Sequence, residues 1–271
     1  MTMHTEIYFA EYGKALTDYE YIVDLHDSRP FLQGKPLSAE PSAILPKPNW
    51  LIDLGAGGEN LTLTARRLLN LLLALSWNYM KDPEEDFFFV AYSSEIRRAI
   101  GQKTAKDNAQ LEAALFHLVS TCIEFPKLQG GYFILDDYEF SADRQHIWWR
   151  FNPELREVLS VFTPWGWTDL SESLKLTSKY ALALYEHVSL RANLKRPVFN
   201  ATPDDLRLHL GAGPSLSTWQ AFKSRALEPA IRQINEKTQF TVSVSYERSR
   251  RSNAVTKINM TIKRGRKPRL H

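Results

Sequence analysis

Cysteine is all but missing from this chain: Cys122 is the only one among 271 residues. An intrachain disulfide scaffold is therefore excluded, and so is a zinc site built on several thiolates. Long apolar runs are missing too. Leu71–Leu75, inside the helix-like stretch 68–77, is far below the roughly 20 residues that a helix needs to cross a bilayer. The first residues carry Glu6 and Glu11 without a basic run, so they do not read as a signal peptide, and with a single thiol the expected compartment is the cytoplasm. No G-x-x-x-x-G-K-[ST] run occurs, which excludes a P-loop ATPase. The histidines (His4, His26, His117, His146, His187, His209, His271) are scattered, with no H-x-H pair to hold a metal for DNA nicking. No Ser–His–Asp set or catalytic carboxylate pair can be defended from spacing. We therefore expect no enzymatic centre, no metal and no cofactor.

One motif argues otherwise. The run LIDLGAGGE at 51–59 resembles the strand and Gly-rich turn of nucleotide-cofactor methyltransferases. Glu59 stands where a third glycine belongs, Pro46 and Pro48 crowd the strand, and no alternating strands and helices follow to build a parallel sheet. A loop leading into the next helix accounts for it better.

What the chain has in abundance is positive charge in one half. The overall net charge is only +3, yet residues 172–271 hold 19 Lys and Arg against 7 Asp and Glu, a net +12, while residues 1–171 carry −9. A field of that size attracts a polyanion before any contact forms. Nucleic acid is favoured over a membrane surface, because the cations do not line one amphipathic helix with an apolar opposite face.

The chain also repeats an order of elements. Residues 30–48 hold Pro30, Pro36, Pro41, Pro46 and Pro48 and should run extended. Apolar spacing predicts a buried helix over 61–80, a short strand at 87–90, and a helix EIRRAIG capped by Ser93 or Ser94. A helix from Asp107 or Asn108 through AQLEAALFHLVSTCIEF comes next, then a hairpin of YFILDDYEF and HIWWRF. After TPWGW the order recurs. Ser178 caps KYALALYEHVSLRAN, Val198-Phe199 is a strand, and Thr202-Pro203 opens DDLRLHLG. Ser217 starts TWQAFKSRALEPAIRQINEK with Gln220 completing a capping box, and FTVSVSYER pairs with VTKINMTIK around SRRSN. Helix, strand, helix, helix, hairpin, twice over, predicts an α+β fold of two tandem winged-helix domains. Residues 1–60 form an N-terminal extension, 61–171 the first domain and 172–271 the second.

In a helix-turn-helix the second helix enters the major groove. On a wheel of TWQAFKSRALEPAIRQINEK, Phe222, Ala226, Leu227, Ala230 and Ile234 share one side. Thr218, Ala221, Ser224, Arg225, Glu228 and Arg232 share the other. Small residues let a helix sink into the groove, and Arg can pair bidentately with guanine. Ser217, Thr218, Ser224, Arg225 and Arg232 are the candidate readers, with Lys223 at the buried edge reaching only phosphate. Pro229 should kink the helix or start a second segment. The hairpin tip with Arg248, Arg250 and Arg251 suits phosphate or minor-groove contact, and Lys263, Arg264, Arg266 and Lys267 add a non-specific anchor.

The runs SKYALALYEHV, FKSRALEPAIRQINEKTQFTVSV and INMTIKRGRK, with LTLTARRLLNLL and FNPELREVL upstream, resemble the iteron-binding plasmid replication initiators over residues 61–267. The resemblance implies two winged helices that bind double-stranded DNA at short direct repeats of an origin, chiefly through the C-terminal one. It further implies an N-terminal domain that dimerises and adds backbone contacts, monomers that start replication, and dimers that repress their own gene. Recruitment of the host initiator and replicative helicase, without a catalytic site, is implied as well. In this chain the acidic N-terminal half leaves Arg97, Arg98, Lys103 and Lys106 to supply its auxiliary DNA contacts. The competing reading from the residues is a winged-helix transcriptional repressor with no part in replication.

Overall fold

The computed structural model describes residues 21–23, 30–32, 44–52, 61–76, 88–102, 104–125, 130–156 and 165–265. In chain order the strands are β1 (Tyr21–Val23), β2 (Pro30–Leu32), β3 (Ile44–Pro48), β4 (Phe89–Tyr92), β5 (Cys122–Phe125), β6 (Gly130–Phe133), β7 (Leu135–Phe140), β8 (His146–Phe151), β9 (Trp165–Asp169), β10 (Val198–Ala201), β11 (Phe240–Arg248) and β12 (Val255–Arg264). The helices are α1 (Asn49–Ile52), α2 (Leu63–Ser76), α3 (Ser93–Ala99), α4 (Ala109–Ser120), α5 (Leu170–Ser173), α6 (Lys179–Arg191), α7 (Pro203–His209), α8 (Trp219–Phe222) and α9 (Glu228–Lys237). A 3₁₀ turn at Pro214–Leu216 precedes α8, and a π-turn at Lys223–Leu227 joins α8 to α9.

The contacts divide the chain into two compact units. The first takes Met1–Ile44 and Thr64–Phe162; the second takes Leu45–Leu63 and Thr163–His271. The sequence-based boundary after residue 171 thus moves to 162–163, and the second unit also takes in residues 45–60, expected in the N-terminal extension, and 61–63, expected in the first domain.

In the first unit, β4, β8 and β7 form an antiparallel sheet in that order, with α3 packed on β4 and α4 on β7. Leu68, Leu69, Leu72, Ile96, Leu111, Leu115, Ile147, Trp149 and Phe151 fill its core. The long helix predicted through AQLEAALFHLVSTCIEF ends at Ser120, and CIEF becomes β5, paired with β6. Three of its four residues are β-branched, aromatic or Cys, and alternation wins over the helical reading. YFILDDYEF accordingly splits at Ile134 between β6 and β7. Neither serine caps α3. Its N-cap is Tyr92, and the Ser93 hydroxyl donates instead to the Arg144 carbonyl at 2.9 Å.

The second unit repeats the arrangement, with sheet order β10-β12-β11 and a nine-residue pairing of β11 with β12. Its caps follow the sequence: Ser178 accepts from the Tyr180 amide, Thr202 accepts from the Asp205 amide, Pro203 opens α7, and Gly211 takes φ 61° after it. One cap moves by a residue. Thr218, not Ser217, caps α8 by accepting from the Ala221 amide.

The early segment β3–α1 lies on α6 and pairs with β9. Gly166 permits the approach: a Cβ there would stand 2.7 Å from Ile52 Cδ1 and 3.1 Å from the Leu190 backbone. Lys47 and Glu186, both 0% exposed, form an ion pair at 3.0 Å. A second buried cluster joins α6 to β11. The Tyr185 hydroxyl donates to Glu172 at 3.1 Å, and Glu172 also accepts from the Gln239 backbone amide at 3.2 Å. Burial first, then the charges of Glu172 and Asp169, push the Tyr185 phenol well above its usual pKa.

Candidate nucleic-acid interface

The helix-turn-helix of the second unit is built from α7, the Gly211 turn and the helix running from α8 through the π-turn to α9. Its inner face is apolar and closed: Phe222, Ala226, Leu227, Ala230, Ile231 and Ile234 are all buried. The turn is pinned by Arg207, whose guanidinium donates to the Ser217 carbonyl and pairs with Asp204. The outward face holds Ser217, Thr218, Ser224, Arg225, Glu228 and Arg232, all exposed.

The predicted readers fall into distinct roles. Arg225 and Arg232 have no hydrogen-bond or ion-pair partner among the described residues, so both guanidiniums are available. The Thr218 hydroxyl is engaged as the cap, and the Ser224 hydroxyl donates to the Gln220 carbonyl at 2.8 Å. Lys223 turns sideways, 3.3 Å from Glu228 and 5.2 Å over the Tyr246 ring. Tyr246 also receives Trp219 edge-on at 5.4 Å, which ties the first turn of α8 to β11. Burial and the Glu228 charge raise the Tyr246 pKa. The wing therefore rises beside the N-terminal end of this helix.

At the wing tip, Arg248 spends a donor on the Asn253 carbonyl at 2.9 Å, and Asn253 takes φ 54°. The Ser249 hydroxyl accepts from the Arg251 and Ser252 amides at 3.3 and 3.4 Å. That closed turn leaves Arg250 and Arg251 exposed, without a partner among the described residues. Lys263 is likewise exposed and unpaired among them. Arg264 is not a free anchor: its Nε donates to Gln239 at 2.7 Å and its Nη1 to Asn193 at 3.4 Å. Arg266 and Lys267 lie outside the described residues.

Two further cations escaped the sequence reading. Lys195 and Arg196 are exposed in the turn before β10, with no side-chain partner among the described residues. The Ile262 amide donates to the neighbouring Pro197 carbonyl at 2.8 Å, so this turn lies against β12 beside Lys263. The run Lys195-Arg196-Pro197 signals it in the sequence, as a basic pair at a forced turn.

The first unit offers a different surface. Arg97 donates to the carbonyls of Ala105 at 3.0 Å and Asp107 at 2.7 Å, latching the turn between α3 and α4. Arg98 is exposed, and its charge lowers the Glu95 pKa against the larger rise from burial. Lys106 is exposed and unpaired among the described residues; Lys103 lies outside them. Helix α4, in the place of the reading helix, carries no Lys or Arg and exposes Phe116 at 63%. Its wing turn is held down through the Arg144 carbonyl, which accepts from Ser93 and Asn108 at 2.9 Å each. The Arg144 side chain pairs with Glu112 at 2.6 Å. Among the described residues, free cationic surface in this unit is scarce, whereas the second unit concentrates it around one helix and one wing.

Among the described residues, no group of three or more His, Cys, Asp or Glu is placed to hold a metal, and no helix is long and apolar enough to cross a membrane.

The comparisons agree with this geometry. A family model described as "Initiator Replication protein, WH1" matches residues 45–189, and one described as "Initiator Rep protein, WH2" matches residues 202–268. The first match begins where the early segment joins the second unit. A crystal structure of Pi initiator protein in complex with iteron DNA has the same fold at a TM-score of 0.65, with 18% identity over 82% of this chain and 98% of that one. No curated protein matches the chain.

Proposed function

The chain belongs to the initiator replication protein family, with two winged-helix domains in tandem, and we propose that it starts replication by binding repeated double-stranded sites at a plasmid origin. One observation carries the reading. Arg225 and Arg232 on the outer helix face and Arg250 and Arg251 on the adjacent wing are exposed cations with no internal partner among the described residues. The first two sit on a helix whose opposite side is sealed in the core. The solved Pi initiator protein, alike in fold, is in complex with iteron DNA.

In this reading Arg225 and Arg232 read base edges, and the exposed hydroxyl-bearing turn at Ser217, Thr218 and Ser224 fits against the groove. Arg250, Arg251, Lys263 and the Lys195-Arg196 turn neutralise phosphates. Arg248, Arg264 and Lys223 keep the wing and sheet edge in shape. Arg266 and Lys267 extend the phosphate anchor. The first domain contributes Lys106 and Arg98 as minor phosphate contacts and serves mainly for self-association, in keeping with an α4 that presents Phe116 in place of cations. Autorepression by a dimer and recruitment of the host initiator and replicative helicase complete the proposal, which needs neither cofactor nor catalysis.

Footprinting on the chain's own replicon tests it. Protection should recur at direct repeats phased by about two helical turns. Protection of a single palindrome, together with persistence of the replicon after deletion of the gene, would instead make the protein a winged-helix repressor. Arg225→Ala should weaken binding to the repeats by about 1–3 kcal/mol and leave random duplex nearly unchanged. An equal loss on both would reduce Arg225 to a phosphate contact.

A further inference from the structure

Residue 229 of an unbroken α-helix would donate its N–H to the carbonyl of residue 225. Pro229 has no N–H, and its ring crowds that carbonyl. The chain answers one turn earlier. Lys223–Leu227 widens to a π-turn, the Glu228 amide donates to the Lys223 carbonyl, and α9 resumes at Glu228 with Pro229 in its first positions. There a missing N–H is tolerated. One added residue in a turn rotates the helix before it by about 100° relative to the helix after it.

The helix is fixed to the core on both sides of the turn, by Phe222 before it and by Ala230, Ile231 and Ile234 after it, with Ala226 and Leu227 buried within it. The rotation therefore decides where the outward residues point. Arg225 lies in the middle of the wide turn, is exposed, and owns the carbonyl that Pro229 leaves without its α-helical donor. Wide turns of this kind gather at functional sites.

We infer that Pro229 is a positioning residue for sequence readout. By forcing the wide turn it sets the direction in which Arg225 leaves the helix, while itself touching no DNA. The inference rests on the reading of this helix as the DNA-reading element.

The experiment uses the full chain with Pro229→Ala, and three measurements. Hydrogen exchange reports the new amide at 229. Thermal unfolding reports the fold. Titration against a duplex selected from random DNA by the unsubstituted chain, and against a scrambled duplex of the same length, reports selectivity. The amide at 229 should be protected, showing that the turn has closed to α-helix, and unfolding should stay cooperative. Affinity for the selected duplex should fall about tenfold, the share of one bidentate contact, with the scrambled duplex unaffected. A freely exchanging amide would mean that the wide turn persists without the proline, which overturns the inference. Unaltered selectivity would overturn it too, and loss of cooperative unfolding would make Pro229 a packing residue. If the unsubstituted chain itself selects no sequence, the DNA reading falls, and the exchange measurement still decides whether Pro229 holds the turn.

Discussion

Lys47→Met should be among the most destabilising single changes in the second unit. Lys47 and Glu186 are 3.0 Å apart and 0% exposed, so no solvent reaches either charge. Removing the cation takes the ion-pair partner from a carboxylate sealed inside the domain, at a cost of about 3–5 kcal/mol. By contrast the Arg144–Glu112 pair, with side chains 48% and 45% exposed, is worth about 0–1 kcal/mol despite its shorter 2.6 Å separation. Burial, not distance, sets the difference. In urea unfolding of the full chain at a slope near 2 kcal/mol/M, the transition of the second unit should move down by about 1.5–2.5 M. Lys47→Met with Glu186→Met should recover most of the loss, since an apolar pair of similar volume often replaces a buried ion pair without penalty. A single-variant loss below about 1 kcal/mol, or a double variant as unstable as the single, would refute the reasoning.

The cations of the second unit give contrasting expectations. Replacing Arg250 and Arg251 together by Ala should reduce the salt dependence of binding by up to about two released ions, with the melting temperature unmoved; an unchanged slope would remove the wing from the interface. Arg264→Ala should behave the opposite way. It removes hydrogen bonds to Gln239 and Asn193, so thermal stability should drop by about 1–3 kcal/mol while the salt slope stays constant, and a changed slope with unchanged stability would restore it to the DNA anchor.

The repeat of helix, strand, helix, helix, hairpin was legible because each element announces itself locally. Thr202-Pro203, Ser178 and Gly211 mark helix ends through chemistry that acts within a few residues. The inner face of the helix from α8 to α9 was legible from its period, and Pro229 announced a kink or a second segment; the form it takes, a wide turn leading into α9, depends on core contacts at both ends. Three things were out of reach. The extension of α4 into CIEF misled because a buried helix and a short strand share apolar residues. The roles of Arg248, Arg264 and Arg97 depend on carbonyls and amides that the fold brings to them, so a count of charges overstates the free cations. And nothing local in LPKPNWLI says that it belongs with residues 163–271, since its partners are remote in the chain.

That remoteness has a bearing on biosynthesis. Glu186 lies 139 positions after Lys47, so at about 5–20 residues per second the ribosome takes roughly 7–30 s to supply it. Throughout that interval Leu45, Leu51 and Ile52, all sealed in the finished protein, wait on the nascent chain while residues 64–162 emerge. The half with the cationic helix and wing thus matures after the other, and only a chain grown past Glu186 holds both ends of its own clasp.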